Sequence, residues 1–463
     1  MTHYHFIGIG GTGLSAIARV LLEKGNLVSG SDRILSPLAK ELQDLGVHVS
    51  ISHDAGNVMG AEKVIRSSAV KDDNPEVIAA RNAGIPVIKR DEFLKELVGD
   101  QKVIAIAGTH GKTTTTSMVA WVLHSLDLDP SYVIGSISKN LGSNAHFGTG
   151  DYFVIEADEY DNMFLGLEPQ YAIITYMEHD HPDFFPTLDD YRAAFSKFVR
   201  QTKLGGTVLI CRDEPGSFGL RSEVSPIIKT GTYGFHPEST YRAQLVESDR
   251  PDRKSFTVSH QIGDAEPSKL CEIVLQIPGD HNVLNATAVI ALIDILGLDP
   301  IKASEALQKF TGSGRRFEIR GEVNSILIID DYAHHPTEIR ATLQAAREKY
   351  PDRRLIVVWQ PHTFSRIQAL FDEFTKAFSK ADRVFITEIY AARETSNSFS
   401  ASQIADKLQH PAVQFCKTLE LAQILLLKEL RRGDVLLVLS AGDADQVSTG
   451  ILDVLGKREV NHD

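Results

Sequence analysis

An unbroken run of apolar residues, Val103–Ala107, precedes a glycine-rich turn and a second apolar segment with a different period. The first run does not alternate with polar residues, which is typical of a strand covered on both faces of a parallel sheet. After the turn, Met118, Val119, Val122 and Leu123 recur at helical spacing. The pattern therefore predicts a strand, a tight turn and a helix, in that order.

Similar apolar runs occur along the whole chain and alternate with helical segments. Near the N-terminus, a predicted strand over Tyr4–Ile9 is followed by a helix over Leu14–Leu22 and a strand over Leu27–Ser31. Further strands are predicted at Lys63–Arg66, Pro86–Ile88, Tyr152–Ile155, Tyr171–Tyr176, Ser325–Ile329, Leu355–Val358, Val384–Thr387 and Val435–Leu439. Strands that alternate with helices predict an α/β fold with mostly parallel sheets.

The turn after the first run has the composition of a phosphate-binding loop, with Gly108, Thr109, His110, Gly111, Lys112, Thr113 and Thr114. Glycines let backbone N–H groups face a phosphate, and the following helix N-terminus adds a partial positive charge. Lys112 would bridge the outer phosphates of a nucleotide, and the Thr113 hydroxyl would hold Mg²⁺. The common motif has another glycine five residues before Gly111, where this chain has Ile106, so a chance turn stays open as the alternative.

A second glycine-rich turn follows the first predicted strand. Gly8, Gly10 and Gly13 form GxGxxG, with Gly11 and Thr12 inside it, and Asp32 ends the next strand. Such a turn places a diphosphate at a helix N-terminus, and an acidic residue at this distance normally holds a ribose hydroxyl of NAD. Taken alone, the motif leaves a dinucleotide site, another nucleotide site and a structural turn open.

Acidic and histidine residues follow two central strands. Glu156 ends the strand Tyr152–Ile155, and His181 lies in the Glu178–Asp183 segment after the next strand. Carboxylates at strand ends beside a phosphate loop are suitable Mg²⁺ ligands, so we expect Thr113 and Glu156 at one Mg²⁺ and Glu156 and His181 at a second. A zinc hydrolase site and plain solvated charge are the alternatives.

Two further central segments are candidate binding elements. The segment Gly135–Gly148 is rich in glycine, serine and asparagine and carries His146, which predicts a binding loop or an ordinary surface loop. In Ile277–Ala288, Asn282 and Asn285 share one helical face. Amide side chains can read both edges of a base, although an asparagine at a helix start is usually a cap.

Polar residues also gather after four strands near the C-terminus, beginning at Asp330, Gln360, Glu388 and Ser440. A flexible junction with Arg315 and Arg316 precedes them. The carboxyl ends of strands form the edge where open α/β sheets bind ligands. We therefore expect the four clusters to form the edge of a site.

Length and composition limit the possible functions. A chain of 463 residues is long enough for about three domains. We expect a Rossmann-like domain over residues 1–100, a central P-loop ATPase-like domain over residues 101–312, and a Rossmann-like domain over residues 313–463. The net charge of −13 argues against nucleic acid and membrane surfaces as partners. The three scattered cysteines and the lack of a signal or membrane segment predict a cytoplasmic protein.

Together these motifs resemble those of the Mur ligase family. The resemblance rests on GTHGKTTT (Gly108–Thr115), EADE (Glu156–Glu159), Asp180–His181, GDHNVLNA (Gly279–Ala286) and GRRFE (Gly314–Glu318). It implies a first domain that binds the uridine diphosphate of a nucleotide sugar rather than NAD. It also implies ATP-dependent formation of an amide bond through an acyl phosphate, with Mg²⁺. DDYAHHPTEI (Asp330–Ile339) and QPHTFSR (Gln360–Arg366) favour a member that joins L-alanine to UDP-N-acetylmuramate.

The resemblance also implies roles for individual residues. Lys112 would steady the outer phosphates, Asn282 and Asn285 would read adenine, and Arg316 and Asp331 would hold the nucleotide from the third domain. Tyr332, His334 and Arg366 would surround the amino acid, with Arg366 on its carboxylate and Lys112, Glu156, His181, His334 and Arg366 as the catalytic set. The expected substrate-binding residues are Gly8, Gly10, Gly11, Thr12, Gly13, Asp32, Ser67, Ser68, His146, Tyr332, His334 and Arg366, of which the last three would surround the amino acid and the reacting centre.

Some features depart from the family pattern and some alternatives stay open. Tyr176 stands where many members have Asn, Thr363 stands where some have Arg, and we place no carbamylated lysine. The alternatives are a family member that recycles a murein tripeptide, a nicotinamide-dependent dehydrogenase and a non-catalytic nucleotide-binding module. We expect a monomer or weak homodimer, and a third domain that closes for the reaction.

Overall fold

The computed structural model describes residues 1–247, 253–263, 265–395 and 398–460. Three separate β-sheets form in succession along the chain, and helices cover them. Most neighbouring strands are parallel, so the predicted α/β fold with three domains is confirmed. Among the described residues, no helix has both the length and the apolar character needed to cross a membrane.

The first sheet is parallel throughout and has the strand order β3-β2-β1-β4-β5. Phe6 and Ile7 on the central strand point to opposite faces and join different apolar clusters. The strands are β1 (His3–Ile7), β2 (Leu27–Asp32), β3 (His48–Ile51), β4 (Lys63–Arg66) and β5 (Val87–Lys89). The helices are α1 (Thr12–Glu23), α2 (Pro37–Asp44), α3 (Pro75–Asn82) and α4 (Arg90–Val98), with a 3-10 turn at Ala55–Val58.

The second sheet has ten strands in the order β15-β14-β13-β12-β11-β10-β6-β9-β7-β8. Its centre is parallel and both edges are antiparallel. The strands are β6 (Lys102–Ala107), β7 (Ser131–Ser138), β8 (Ser143–His146), β9 (Tyr152–Glu156), β10 (Tyr171–Ile174), β11 (Thr207–Cys211), β12 (Lys229–Gly234), β13 (Tyr241–Leu245), β14 (Lys254–His260) and β15 (Ser268–Leu275). The helices are α5 (Lys112–Ser125), α6 (Leu188–Arg200), α7 (Pro215–Gly219), α8 (Asp280–Ile295) and α9 (Pro300–Gln308), with 3-10 turns at Tyr160–Gly166 and Leu220–Glu223.

The third sheet has the order β16-β17-β21-β18-β19-β20 and is parallel apart from its first strand. The strands are β16 (Glu318–Val323), β17 (Ile326–Asp331), β18 (Leu355–Trp359), β19 (Arg383–Thr387), β20 (Val413–Cys416) and β21 (Val435–Leu439). The helices are α10 (Pro336–Lys349), α11 (Phe364–Ala369), α12 (Phe371–Thr375), α13 (Ser402–Ala405), α14 (Leu419–Glu429) and α15 (Asp445–Val460).

The cores show how the sheets are joined. One buried apolar cluster runs from the first sheet into the second, so these two parts share a core. The third sheet has its own clusters on its two faces. Contacts between the second and third parts are largely polar, as in the pairs Arg366–Asp180 and Lys139–Glu318. Polar interfaces of this kind are the ones across which domains move.

The prediction of a loop over Gly135–Gly148 is wrong. Residues in it belong to β7 and β8, which form an antiparallel hairpin. The connection to the third sheet pairs with this hairpin, because Lys139 N donates to Gly312 O at 3.1 Å and Gly314 N donates to Ile137 O at 2.9 Å. Glycine and serine content suggested a loop, but most of the segment belongs to two paired strands.

Candidate active site

The phosphate-binding loop connects β6 to α5, as its sequence predicts. Gly111 precedes the helix with a φ of 83°, a conformation that favours glycine. A side chain at Gly108 would lie 2.1 Å from the Thr175 hydroxyl, and one at Gly111 would lie 2.7 Å from Asn285 Oδ1. Both positions therefore require glycine, because Thr175 and Asn285 leave no room for a side chain.

Lys112 is held at the base of this loop. Its Nζ lies 2.8 Å from Glu159 Oε2, and Glu159 is fully buried. Burial lowers the pKa of Lys112, but the carboxylate of Glu159 outweighs it and leaves the pKa above its ordinary value. The Tyr191 hydroxyl donates to the other oxygen of Glu159 at 3.0 Å. A charged lysine is thus kept at the base of the glycine-rich loop.

Thr113 and Glu156 lie together, as predicted. The Thr113 hydroxyl donates to Glu156 Oε1 at 3.0 Å, and Gly135 N donates to Glu156 Oε2 at 2.7 Å. Burial raises the pKa of Glu156, so a neighbouring cation would stabilise its charged form. Two adjacent hard oxygens at a buried strand end match the ligand preference of Mg²⁺.

His181 lies on a strained turn next to these groups. Its φ is 53°, and its buried Nδ1 has no hydrogen-bond partner among the described residues. Its Nε2 is 3.7 Å from Asp180 Oδ2 and 3.9 Å from Glu159 Oε1. The carboxylates near His181 Nε2 are therefore those of Asp180 and Glu159, and no such contact joins it to Glu156 in the described part of the chain.

A cavity of about 280 Å³ extends from the phosphate loop to α8. Asn282 and Asn285 line it, and Asn285 Nδ2 donates to Asn282 Oδ1 at 3.2 Å. Asn282 Nδ2 in turn donates to Pro278 O, which fixes the orientation of both amides. Tyr176 lines the same cavity, with its ring 5.4 Å from that of His110. Tyr176, which stands where many family members have asparagine, therefore forms part of the wall of this cavity.

A larger cleft of about 660 Å³ lies between all three parts of the molecule. Thr12 and Gly13 line it from the first part, Glu156 from the second and Tyr332 from the third. Thr113 and Arg316 border both the cleft and the smaller cavity. A phosphate at the end of the small cavity would therefore meet a group bound in the cleft. This shared wall is the central feature of the site.

The glycine-rich turn after β1 is held by Asp32. Gly10 N donates to Asp32 Oδ2 at 2.8 Å, and the Ser36 hydroxyl donates to Gly10 O at 2.9 Å. Asp32 thus shapes the turn itself, in addition to any ribose contact. Ser67 follows β4 and packs on Gly8, and Ser68 lies in the turn that follows it.

His146 lies away from both cavities and is not among their lining residues. Its ring nitrogens are 2.9 Å from Glu23 Oε2 and 3.2 Å from Asp129 Oδ1. Hydrogen bonding to Glu23 raises the pKa of His146. The structure therefore places this histidine in an ionic contact between α1 and the second sheet and does not bring it together with the other candidates.

Asp331 and Arg316 organise the third side of the site. Asp331 accepts hydrogen bonds from Phe317 N at 2.7 Å and Ala333 N at 2.8 Å, and burial raises its pKa to about 6. The Arg316 guanidinium lies 5.0 Å from the Tyr332 ring centre and 3.7 Å from Glu338. Asp331 therefore fixes two turns, while Arg316 and Tyr332 face the cleft.

His334 lies beside Tyr332 with its side chain 14% exposed. Burial lowers its pKa to about 3, so the ring is neutral at neutral pH. Its Nδ1 is 2.8 Å from Tyr332 O, which places the ring proton on Nδ1 because the carbonyl only accepts. Nε2 is then free of the proton. The geometry gives a neutral imidazole that can accept a proton or a hydrogen bond.

Arg366 is buried and already paired. Its Nε donates to Asp180 Oδ1 at 2.7 Å, and Nη1 lies 3.0 Å from His362 Nδ1. Asp180 is buried, but Arg366 holds its pKa well below the usual range. Thr363, which stands where some family members have arginine, lies at the start of α11 with a φ of 62°. Its side chain is uncharged, so this position supplies no second cation. Two of the three guanidinium nitrogens of Arg366 are thus engaged by Asp180 and His362.

Sequence reasoning missed a cluster between the second and third sheets. His110 Nε2 is 2.5 Å from Glu178 Oε1, His110 Nδ1 is 3.1 Å from Glu338 Oε1, and His335 Nδ1 is 3.0 Å from Glu178 Oε1. Donor atoms of His110, Glu178 and His335 lie within 4.8 Å of one another, close enough to hold a metal ion. Burial lowers the pKa of His110, but the two glutamates outweigh it and raise the pKa to about 9. A protonated His110 that donates to both carboxylates therefore fits better than a metal ligand.

Sequence reasoning also missed Arg90, at the start of α4. It lines the cleft, and a side chain at Gly13 would lie 1.7 Å from its Nη1. Its Nη2 is 3.4 Å from Asp158 Oδ2. The signal was available, since Arg90 comes two residues after the predicted strand Pro86–Ile88 and directly follows β5. The carboxyl ends of such strands are where ligand contacts gather.

Only some of the four polar clusters predicted at the edge of the third sheet face the rest of the candidate site. Gln360 accepts a hydrogen bond from the Ser440 hydroxyl at 2.7 Å and donates to Asp443 at 2.8 Å. Glu388 accepts from Ala401 N at 2.9 Å. These polar groups satisfy one another inside the third sheet, while the groups after β17 and the start of α11 face the second sheet.

Comparisons with known proteins agree along the whole chain. Three family models match: "Mur ligase family, catalytic domain" over residues 3–102, "Mur ligase middle domain" over residues 106–293 and "Mur ligase, glutamate ligase domain" over residues 315–442. The UDP-N-acetylmuramate–L-alanine ligase of Nitratidesulfovibrio vulgaris is 42% identical, covering 96% of each chain, and that of Frankia casuarinae is 40% identical, covering 98% of each.

Solved structures give the same result. The UDP-N-acetylmuramate–alanine ligase of Thermotoga maritima is 32% identical with a TM-score of 0.83, covering 99% of this chain and 100% of that one. A murein peptide ligase from Psychrobacter arcticus is 26% identical with a TM-score of 0.74, covering 98% and 99%.

Proposed function

The chain belongs to the Mur ligase family, and from this premise we propose that it joins L-alanine to the lactyl carboxylate of UDP-N-acetylmuramate with consumption of ATP. The products are UDP-N-acetylmuramoyl-L-alanine, ADP and phosphate, and the reaction belongs to peptidoglycan precursor synthesis. The relatives at about 40% identity carry this activity in their names. The observation that carries the proposal is the wall of Thr113 and Arg316 shared by the two cavities.

In the first step the lactyl carboxylate attacks the γ-phosphorus of ATP, and ADP leaves. ATP would lie in the smaller cavity, with its adenine against Asn282 and Asn285. Lys112 and the loop amides would hold its phosphates, with Arg316 and Asp331 on the side of the third domain. Because Lys112 stays charged, it stabilises the negative charge on the transferred phosphoryl group.

Mg²⁺ would be held by Thr113 and Glu156, whose oxygens lie 3.0 Å apart. His181 would contribute to a second Mg²⁺, with its unpartnered ring nitrogen available as a ligand. When bound, the ion neutralises phosphate charge and orients the phosphates for in-line transfer. Positioning and charge neutralisation are the main contributions of the protein in such reactions.

In the second step the amino group of L-alanine attacks the acyl phosphate. A tetrahedral intermediate forms, the nitrogen loses a proton, and phosphate leaves as the amide forms. Neutral His334, with Nε2 free of a proton, is suited to orient or accept from the amino group. The unused nitrogen of Arg366 would pair with the alanine carboxylate.

The first domain would hold the sugar nucleotide at the N-terminus of α1. Gly8, Gly10, Gly11, Thr12 and Gly13 would face the diphosphate, with Asp32, Ser67 and Ser68 next to the nucleoside. We keep residues 1–100, 101–312 and 313–463 as the proposed domain limits. A cytoplasmic location and a monomer or weak homodimer remain predictions.

The largely polar contact between the second and third domains supports closure of the third domain during the reaction. Closure would bring Tyr332, His334 and Arg366 onto the substrate and exclude water from the acyl phosphate. Small-angle scattering with an ATP analogue and UDP-N-acetylmuramate tests this point. An unchanged scattering curve on addition of both ligands would contradict closure.

The test of the reaction is phosphate release from ATP and Mg²⁺ with UDP-N-acetylmuramate. The acceptors compared are L-alanine, D-glutamate, a murein tripeptide and none. Release that needs both the sugar nucleotide and L-alanine, and is lost in Lys112→Ala, supports the proposal. The similarity to a murein peptide ligase makes tripeptide the second candidate acceptor, and tripeptide-dependent release would replace L-alanine in the assignment.

A further inference from the structure

The turn that carries His181 is held on both sides by arginines of the third domain. Arg366 donates to Asp180 on one side. On the other side, Arg393 has Nη2 at 3.0 Å and Nε at 3.1 Å from Asp183 Oδ2. His181 lies between these two aspartates in the sequence. The position of this turn therefore depends on how the third domain is seated.

Arg393 also supports the ring that packs on His181. Its guanidinium lies 3.7 Å from the centre of the Tyr160 ring, and that ring is 5.0 Å from the ring of His181. The Tyr160 hydroxyl donates to Asp183 at 3.2 Å. Arg393, Tyr160 and Asp183 thus form one contact network behind His181.

Glu394, which follows Arg393 in the chain, acts on Arg366. Glu394 accepts hydrogen bonds from Phe364 N at 2.6 Å and Ser365 N at 3.2 Å, and also from the Ser365 hydroxyl. These are the first amides of α11, the helix that carries Arg366. A carboxylate at a helix N-terminus fixes the helix and complements its dipole. Glu394 therefore sets where Arg366 enters the site.

We propose that Arg393 and Glu394 are positioning residues, which place His181 and Arg366 relative to each other when the third domain is seated. The proposal rests on the ligase function proposed above. Neither side chain touches the expected reacting atoms. A partly exposed ion pair contributes little to stability, so the loss of Arg393 should change placement rather than folding.

The experiment compares Arg393→Ala, Arg393→Lys and Glu394→Ala with the wild type. Arg383→Ala is the matched control, since Arg383 forms an ion pair of similar exposure with Glu429 inside the third domain. We expect kcat for L-alanine-dependent phosphate release to fall about 10-fold or more in Arg393→Ala, because a shift of about 1 Å in a catalytic group can lower the rate about 100-fold. KM for ATP should stay within about twofold, since neither residue lines the nucleotide cavity.

Arg393→Lys keeps the charge but loses the flat contact with Tyr160, so we expect an intermediate kcat. The double variant Arg393→Asp with Asp183→Arg should recover part of the kcat lost in Arg393→Asp. Amide hydrogen exchange of the peptide 178–186, measured without acceptor, should be faster in Arg393→Ala and unchanged in Arg383→Ala.

Unchanged kcat and unchanged exchange in Arg393→Ala would overturn the proposal. A fall of kcat in Arg383→Ala as large as that in Arg393→Ala would also overturn it. The exchange measurement does not depend on the substrate. If no acceptor supports phosphate release while exchange of 178–186 still increases, the contact is established and the ligase function is the part that has failed.

Discussion

The His110 contact allows a quantitative prediction about how the third domain is attached. His110 belongs to the phosphate loop, yet it joins Glu178 of the second domain to Glu338 of the third. The substitution His110→Asn removes the charge but keeps a polar side chain of similar reach. Because the contact crosses a polar interface, we expect its loss to weaken the attachment of the third domain.

The expected size follows from the pKa of His110. The rise from 6.5 to about 9, at about 1.36 kcal/mol per pKa unit, corresponds to about 3 kcal/mol for the two glutamates together. Glu178 belongs to the same domain as His110, so only the part due to Glu338 attaches the third domain. The pKa is higher in the folded protein, so this stabilisation is complete below pH 6.5, where the unfolded chain is also protonated. It decreases as the pH rises and is lost once the pH passes about 9.

The assay is urea unfolding between pH 6 and pH 10, followed by tryptophan fluorescence. The chain has two tryptophans, one in the second and one in the third domain, so a Trp121→Phe background leaves Trp359 as the reporter of the third domain. His48→Asn, at an exposed position of the first domain, is the control. A difference between wild type and His110→Asn that is constant across this range, or that grows with pH, would refute the reasoning.

Three further predictions follow from other contacts. Thr113→Val removes the hydroxyl beside Glu156, and we expect the Mg²⁺ concentration for half-maximal phosphate release to rise about 10-fold or more; an unchanged Mg²⁺ titration would contradict this. Gly111→Ala places a side chain at a φ of 83° and 2.7 Å from Asn285 Oδ1, so KM for ATP should increase in the same assay. Glu76 is buried against His5, Ser31 and Asn57, and although burial opposes it, these contacts, above all that with His5, lower its pKa to about 2. Glu76→Gln should lower the free energy of unfolding of the first domain by about 1–3 kcal/mol at pH 7, a difference that calorimetry should show decreasing as the pH falls below 4.5.

The strands and the two glycine-rich turns could be predicted because their signals are local. The apolar run Val103–Ala107 lies within β6, and the predicted strand Ser325–Ile329 overlaps β17 from its first residue, Ile326. The Thr113–Glu156 pair was predictable too, since both residues follow neighbouring parallel strands. A strand end fixes which edge of a sheet a residue occupies, so the two side chains had to be close.

The cross-domain contacts could not be predicted in the same way. Glu338 reads as an ordinary first-turn residue of a helix, and only docking of that helix on the phosphate loop brings it to His110. The contact of His146 could not be predicted for the related reason that its partner Glu23 is supplied by α1. Periodicity describes single elements, whereas these contacts depend on how whole domains pack.

The pairing of the interdomain connection with the β7–β8 hairpin has a mechanical consequence. Because Gly312 and Gly314 are hydrogen-bonded to the second domain, rotation of the third domain cannot pivot there. The next residues, Arg315 and Phe317, have φ values of 56° and 48°. Both are hydrogen-bonded to the third domain, since Tyr332 N donates to Arg315 O and Phe317 N donates to Asp331, so the pivot lies where the chain passes from Gly314 to Arg315. Arg316 lies between Arg315 and Phe317 and borders both cavities. The axis of rotation would then pass through the site itself, and swinging the third domain away would withdraw Arg316 from ATP and sugar nucleotide at the same moment.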